Sequence, residues 1–148
     1  MKTALLPFLM LMLASVLTGC VTKTPLSDTT VKGVKLSGDW QIEMIDQGGI
    51  IDNSLITLQF TETNRIAGST GCNRYVAAVD TRNNAFRVSQ AGVTRRACLT
   101  ALAKQEQRFL AALDDAVAYK MTAATGLIIY DQQHHPRLKL IQIVPKVD

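Results

Sequence analysis

Three groups of residues in this chain could do chemistry at the spacing they have: two cysteines, one glutamate on a helical stretch and a trio of arginines. Cys72 sits inside GSTGCNRY and Cys98 ends TRRAC, with Arg74 close to the first and Arg95 and Arg96 beside the second. A thiol nucleophile needs a base within reach and a group that orients the base. The histidines are His134 and His135, adjacent to Pro136 in a stretch that reads as an exposed turn, a poor platform for a base. A metal centre needs three or four ligands. The cysteines and histidines could supply that number, but without a CxxC or HxxxH element. A disulfide needs only an even pair and an oxidising compartment, and free thiols in a buried site are the remaining reading.

The N-terminus bears on the compartment. Lys2 precedes an apolar run over 4–17, the length of a signal-peptide hydrophobic region and short for a membrane span. The run closes on Leu17-Thr18-Gly19-Cys20, which resembles a bacterial lipobox; an ordinary secretory signal that happens to end in cysteine is the alternative. The expected organisation is a lipoprotein signal peptide over 1–19, a lipidated flexible tether over 20–35 and one domain over 36–148. Each buried acyl methylene contributes about 0.8 kcal/mol, so more than one chain at Cys20 gives stable anchoring to the membrane. Val21 is not the aspartate of an inner-membrane retention signal, so the expected place is the periplasmic face of the outer membrane.

With Cys20 lipidated, Cys72 and Cys98 are an even pair in an exported chain, and a disulfide between them is the expectation. Closing that loop of 26 positions contributes roughly 3.5 kcal/mol in the chain-entropy account. The stretch 21–35, VTKTPLSDTTVKGVK, has no apolar period and reads as a tether. It reaches roughly 50 Å when extended. Loss of the leader leaves 129 residues at a formal charge of about +3, one core's worth of chain. That mild excess, without a recognition motif, argues against nucleic acid as a partner.

The elements that must position these groups follow from periodicity. Residues 36–45 alternate with Trp40, Ile42 and Met44 on one side; 54–61 alternate with Ile56, Leu58 and Phe60. Short strands are read over 65–68, 75–80 and 85–89, and two closing strands over 127–130 and 138–143. Residues 100–119 change to a helical period, with Leu99, Leu102, Phe109, Leu110, Leu113, Ala116 and Val117 in one stripe. The fold class is therefore α+β: a small curved antiparallel sheet, a partial barrel, packed on one main helix.

Glu106 falls near the centre of that stripe. A buried carboxylate needs partners, and the candidates are Arg74, Arg95, Arg96 or backbone amides of the Gly71-Cys72-Asn73 bend. Asparagine tolerates left-handed backbone and bonds to neighbouring backbone, so Asn73 reads as a bend residue that helps aim a sulfur inward. Glu106 then locks the helix to the cysteine loops; a catalytic acid is the sharper alternative, but no second carboxylate stands at a matching position.

Taken together, Trp40, RIAG at 65–68 leading into GCNRY at 71–75, TRRAC at 94–98, Glu106 with Phe109 and Leu113, Tyr119, and Leu127 with Tyr130-Asp131 resemble the META domain, the HslJ-like family. The likeness spans nearly everything after the tether. It implies a compact sheet-and-helix lipoprotein linked to heat or envelope stress, without an established catalytic activity and without a cofactor, in which Gly71, Asn73, Tyr75, Thr94 and Glu106 form the structural motif. The expected function is non-enzymatic binding of an envelope protein or an apolar ligand in envelope maintenance. One alternative is a pilotin-like chaperone for an outer-membrane protein, which requires an open apolar groove between sheet and helix. The alternative of another class is an envelope enzyme using Glu106. Arg74, Arg95 and Arg96 are candidate anion contacts.

Overall fold

The computed structural model describes residues 36–61, 64–89, 91–123 and 125–144. The leader, Cys20 and the tether lie outside the described residues. The described residues belong to one compact unit, and the buried apolar cluster lies wholly inside it.

The strands are β1 (Gly38–Ile45), β2 (Gly48–Gly49), β3 (Thr57–Thr61), β4 (Arg65–Ser69), β5 (Arg74–Asp80), β6 (Arg87–Val88), β7 (Gly92–Val93), β8 (Ala118–Ala123), β9 (Gly126–Tyr130) and β10 (Pro136–Gln142), with helix α1 (Thr100–Asp114) between β7 and β8. All the pairings are antiparallel. The sheet runs β6-β5-β4-β3-β1-β10-β9-β8, with β2 on β1 and β7 on β5. Its two ends meet where Ala85 bridges Ala118 and the Phe86 amide donates to the Val117 carbonyl at 2.9 Å. The sheet is thus nearly closed, as the α+β partial-barrel reading requires, and closure leaves few backbone groups unpaired at its edges.

Alternation places the core. Tyr75, Ala77 and Val79 of β5, Leu127 and Ile129 of β9, and Leu138 and Leu140 of β10 face inward with Leu58, Ile66 and Phe86. The β1 pattern departs from the expected parity. Trp40 and Ile42 are buried, but Met44 is only half-buried and Ile45 takes the inward place. The cause is a bulge: Ile42 faces Leu140 and Met44 faces Lys139, so Glu43 is the extra residue and the side chains beyond it change faces.

The helix is shorter than its period suggested. It ends at Asp114, and Ala118–Ala123 is a strand paired with β9, so three strands rather than two close the sheet. Ala116 and Val117 keep the apolar period going in sequence, but the chain has already turned; β-branched Val117 and aromatic Tyr119 suit the strand that follows. Phe109, Ala112 and Leu113 fill the space between α1 and the sheet, with the Phe109 ring 5.3 Å from that of Tyr75 at an edge-on angle.

Candidate functional site

The cysteine motif begins where β4 ends. Gly68 can pass β3 only because it lacks a side chain: a Cβ there would lie 2.0 Å from the Thr57 carbonyl oxygen. The Thr57 hydroxyl accepts from the Ser69 amide at 3.0 Å, and its carbonyl accepts from the Tyr75 phenol at 3.0 Å. Burial pushes the Tyr75 phenol well above its ordinary range.

Thr70 to Asn73 is a tight turn closed by the Thr70 amide donating to the Asn73 carbonyl at 2.8 Å. The left-handed residue is Gly71, at φ +88°, and a Cβ on it would stand 2.6 Å from the Ser54 hydroxyl. Asn73, expected to supply that conformation, is needed for its side chain instead. Its Oδ1 accepts from the Thr94 hydroxyl at 2.9 Å and the Arg96 amide at 2.8 Å, and its Nδ2 donates to Glu106 Oε1 at 3.1 Å. The same NH2 group faces both sulfurs, 3.4 Å from Cys72 and 3.9 Å from Cys98. Cys72 and Cys98 are joined as a disulfide with Cα atoms 6.1 Å apart, an ordinary span for such a bond.

Glu106 is half-buried at the edge of the helix's inner face rather than at its centre. Its second oxygen accepts from the Thr70 hydroxyl, which itself accepts from the Asn73 amide at 2.8 Å. Arg74, Arg95 and Arg96 are exposed, and among the described residues none of them makes an ion pair with it. The helix is locked to the cysteine loops as expected, through a hydroxyl and a carboxamide rather than through arginine.

The buried polar residue of α1 is Gln105, one position away. Its amide group donates to the Ser54 hydroxyl and its oxygen accepts from the Ile51 amide at 2.6 Å, which fixes the loop before β3. The sequence signal for Gln105 was its i, i+4 relation to Phe109; the signal for Thr70 was a hydroxyl residue directly before the glycine of a turn. Every motif residue named from sequence, Gly71, Cys72, Asn73, Tyr75, Thr94, Cys98 and Glu106, lies in this one hydrogen-bonded and crosslinked cluster.

A second cluster, not read from sequence, sits at the other end of α1. Arg137 donates to Asp46 at 2.7 Å and to Asp115, with Asp131 at 4.0 Å, and Arg108 stands 3.8 Å from Asp46. Burial acts to lower the Arg137 pKa, but Asp46 and Asp115 outweigh it and hold the pKa above its ordinary value. Asp131 Oδ1 accepts from the Gln133 and His135 amides at 3.0 and 2.8 Å, which shapes the histidine turn, and His135 Nδ1 is 3.4 Å from Asp131 Oδ2. Neither histidine is among the hydrogen-bonding partners of the cysteine sulfurs. An open polar cleft of about 420 Å³ lies against Arg137, Asp115 and Asp131. A shallower groove of about 320 Å³ runs between α1 and the β6–β7 segment, floored by Val88, Ala91, Val93, Leu110 and Leu113.

The META domain family model matches residues 34–142. This chain belongs to the META domain family. A solved structure by NMR of a protein from Burkholderia xenovorans is similar at a TM-score of 0.58 with 21% identity, over 74% of this chain and 83% of that one. A second NMR structure matches at a TM-score of 0.56 with 18% identity, covering 70% and 87% of the two chains. A DUF4847 family protein from Bacteroides vulgatus matches at 0.50 with 13% identity, over 76% and 95%. At these identities the likeness is one of fold. No curated protein matches the chain. In this META domain the cluster around Asn73, Glu106 and the disulfide is a structural joint: it ties the β4–β5 turn, the segment before α1 and the helix itself into one unit.

Proposed function

We propose that this META domain protein works by binding and not by catalysis, as an envelope lipoprotein anchored through Cys20 at the periplasmic face of the outer membrane. Its role is to hold a partner protein in envelope maintenance or the heat and stress response. The observation that carries this reading is that the motif is chemically closed. Both Glu106 oxygens, the Asn73 side chain and both sulfurs are engaged with one another. Among the described residues no buried side-chain nitrogen or oxygen lacks a partner. A site prepared for a substrate or a reacting group holds some polar capacity in reserve, and this one does not.

Two features favour a partner on the outside over an apolar ligand held within. Phe109, Ala112 and Leu113 occupy the helix-to-sheet space, which also disfavours a deep chaperone cleft of the pilotin kind. The groove along Leu110 and Val93 is open and apolar-floored, suited to a few side chains of a partner. The test is in-cell photo-crosslinking from Ala111 on the exposed rim of the groove, with Lys120 on β8 as a distant control and a Cys20→Ala variant. The reading expects a reproducible outer-membrane protein adduct from position 111 that is lost in the variant and absent from position 120. Equal adducts from both positions, or an envelope defect in Glu106→Gln at unchanged stability, would overturn it.

A further inference from the structure

Arg74 is far in the chain from the adjacent Arg95 and Arg96, but the fold brings their segments together. The Arg74 amide donates to the Thr94 hydroxyl at 3.1 Å and the Thr94 amide to the Arg74 carbonyl at 3.0 Å, so the two arginine-bearing segments run side by side. The Arg96 amide bound to Asn73 and the Cys72–Cys98 bond fix the second segment on the first. All three guanidiniums are exposed.

Arg82, Arg108, Arg137 and Lys139 are ion-paired, whereas among the described residues no carboxylate pairs with Arg74, Arg95 or Arg96, nor with Arg65, Arg87, Lys104 or Lys120; what sets the trio apart is that its two segments are held side by side. Glu106, tied to the same turn, spends its oxygens on Thr70 and Asn73. The carboxylates Asp46, Asp115 and Asp131 are gathered around Arg137 at the opposite end of α1, roughly 22 Å away along a fifteen-residue helix.

An exposed apolar side chain follows the arginine-bearing segment, one residue after Cys98. Leu99, directly before α1, is 76% exposed, the most exposed of the large hydrophobic residues described. Val76 is 40% exposed, beside Gly92, Val93 and Arg74 in a shallow open trough. Unpaired guanidiniums near an exposed leucine in the chain suit the headgroup boundary of a bilayer, where cations meet phosphates and a small apolar side chain enters the acyl region. The one-sided distribution of charge would orient the domain as it lands.

We infer that the surface carrying Arg74, Arg95 and Arg96, together with exposed Leu99 next to Cys98, docks the domain on an anionic bilayer surface. The inference rests on the envelope reading only for where the docking takes place, since the surface itself is present without the anchor. In the cell it would set which face of the domain is turned to the membrane and which is left for a partner.

The test uses the chain from residue 20 carrying Cys20→Ala, which retains the whole compact unit and has no acyl chain. Sedimentation with phosphatidylglycerol–phosphatidylcholine vesicles should show association that weakens steeply with salt and is absent with phosphatidylcholine alone. Each arginine near an anionic surface is worth roughly fivefold in partitioning, so R74S/R95S/R96S should weaken binding roughly a hundredfold. The lysine triple variant at the same positions should retain most of it, and Leu99→Ser should weaken it severalfold at unchanged salt slope. The charge-matched control R65S/R87S/K120S removes cations that lie in register opposite Ala78, Asp80 and Ile128, the first two toward the far end of β5 and roughly 14 and 20 Å from Arg74. Equal loss in the control, equal binding to neutral vesicles, or saturation by inorganic phosphate without vesicle binding would each overturn the inference. Those failures leave the anchor reading standing, because that is tested separately by membrane fractionation of Cys20→Ala against wild type in the cell.

Discussion

Replacing Asn73 by aspartate is the sharpest probe of the motif, because it changes one atom. Nδ2 donates to Glu106 Oε1 at 3.1 Å; in Asn73→Asp an oxygen takes its place and faces the carboxylate. Two unit charges at that distance repel by about 5 kcal/mol at an effective dielectric near 20. The protein can avoid this by taking up a proton, and protonating one ordinary carboxylate costs about 4 kcal/mol at pH 7 but only about 1 kcal/mol at pH 5. The contacts of Oδ1 with Thr94 and Arg96 survive, so the predicted loss at pH 7 is about 3–4 kcal/mol. For a domain of this length that is roughly 15 °C in Tm. The sign with pH is fixed by linkage. The folded variant binds a proton that the unfolded chain at pH 7 does not, so its deficit relative to wild type shrinks as pH falls from 7 to 5.

The partner substitution closes the cycle. Glu106→Gln alone removes charge assistance from two hydrogen bonds and should cost about 1–2 kcal/mol. In Asn73→Asp/Glu106→Gln the pair is restored with donor and acceptor exchanged, while the Thr70 hydroxyl still finds a carbonyl oxygen. The double variant should therefore be more stable at pH 7 than Asn73→Asp alone, with a coupling of about 2–3 kcal/mol measured by urea unfolding followed through Trp40 fluorescence. Additive losses, or an Asn73→Asp deficit that does not depend on pH, would refute the direct contact on which the structural assignment of Glu106 rests.

Three further outcomes are expected. Cys72→Ser/Cys98→Ser should lose roughly 3 kcal/mol against the oxidised protein, read as a lower urea midpoint that matches wild type under reductant. Gly68→Ala should be among the most damaging single substitutions in the barrel, costing more than about 3 kcal/mol by urea unfolding, because the new Cβ meets Thr57 backbone and not a movable side chain. The stability linked to the raised Tyr75 phenol is fully present below pH 10, the ordinary tyrosine value, and is lost as pH rises towards its folded-state value. Ultraviolet difference titration should show the Tyr75 tyrosinate appearing only with unfolding, and Tyr75→Phe should reduce the amplitude of that delayed step by one tyrosine, since burial also raises the Tyr119 phenol.

The joint was legible as a set of residues but not as a set of contacts. GCN, TRRAC and Glu106 stood out because their residue types suit bends, crosslinks and helix anchoring. That Asn73 joins Thr94, Arg96 and Glu106 through one carboxamide depends on three segments converging, and no local pattern encodes that convergence. The same limit explains the arginines. An exposed cation and a buried one read alike in a sequence; among the described residues the oxygens of Glu106 are committed to Thr70 and Asn73, and no carboxylate pairs with Arg74, Arg95 or Arg96. Gln105 and Glu106 were separable only by the helix's rotation against the sheet, about 100° per residue.

The sequence by itself determined the alternating strands at 54–61, 75–80 and 138–143, the single helix at its N-terminal side, and a cysteine pair with an even count, because these rest on periodicity and composition. Tertiary structure decided the rest. The bulge at Glu43 switched the inward face of β1, and pairing with β9 turned Ala118–Ala123 into a strand where the apolar period had continued as helix. The Arg137 cluster joined aspartates from three separate turns. Each of these depends on partners distant in the chain, whose free energy enters only when the barrel closes, so nothing local in the residues concerned could announce it.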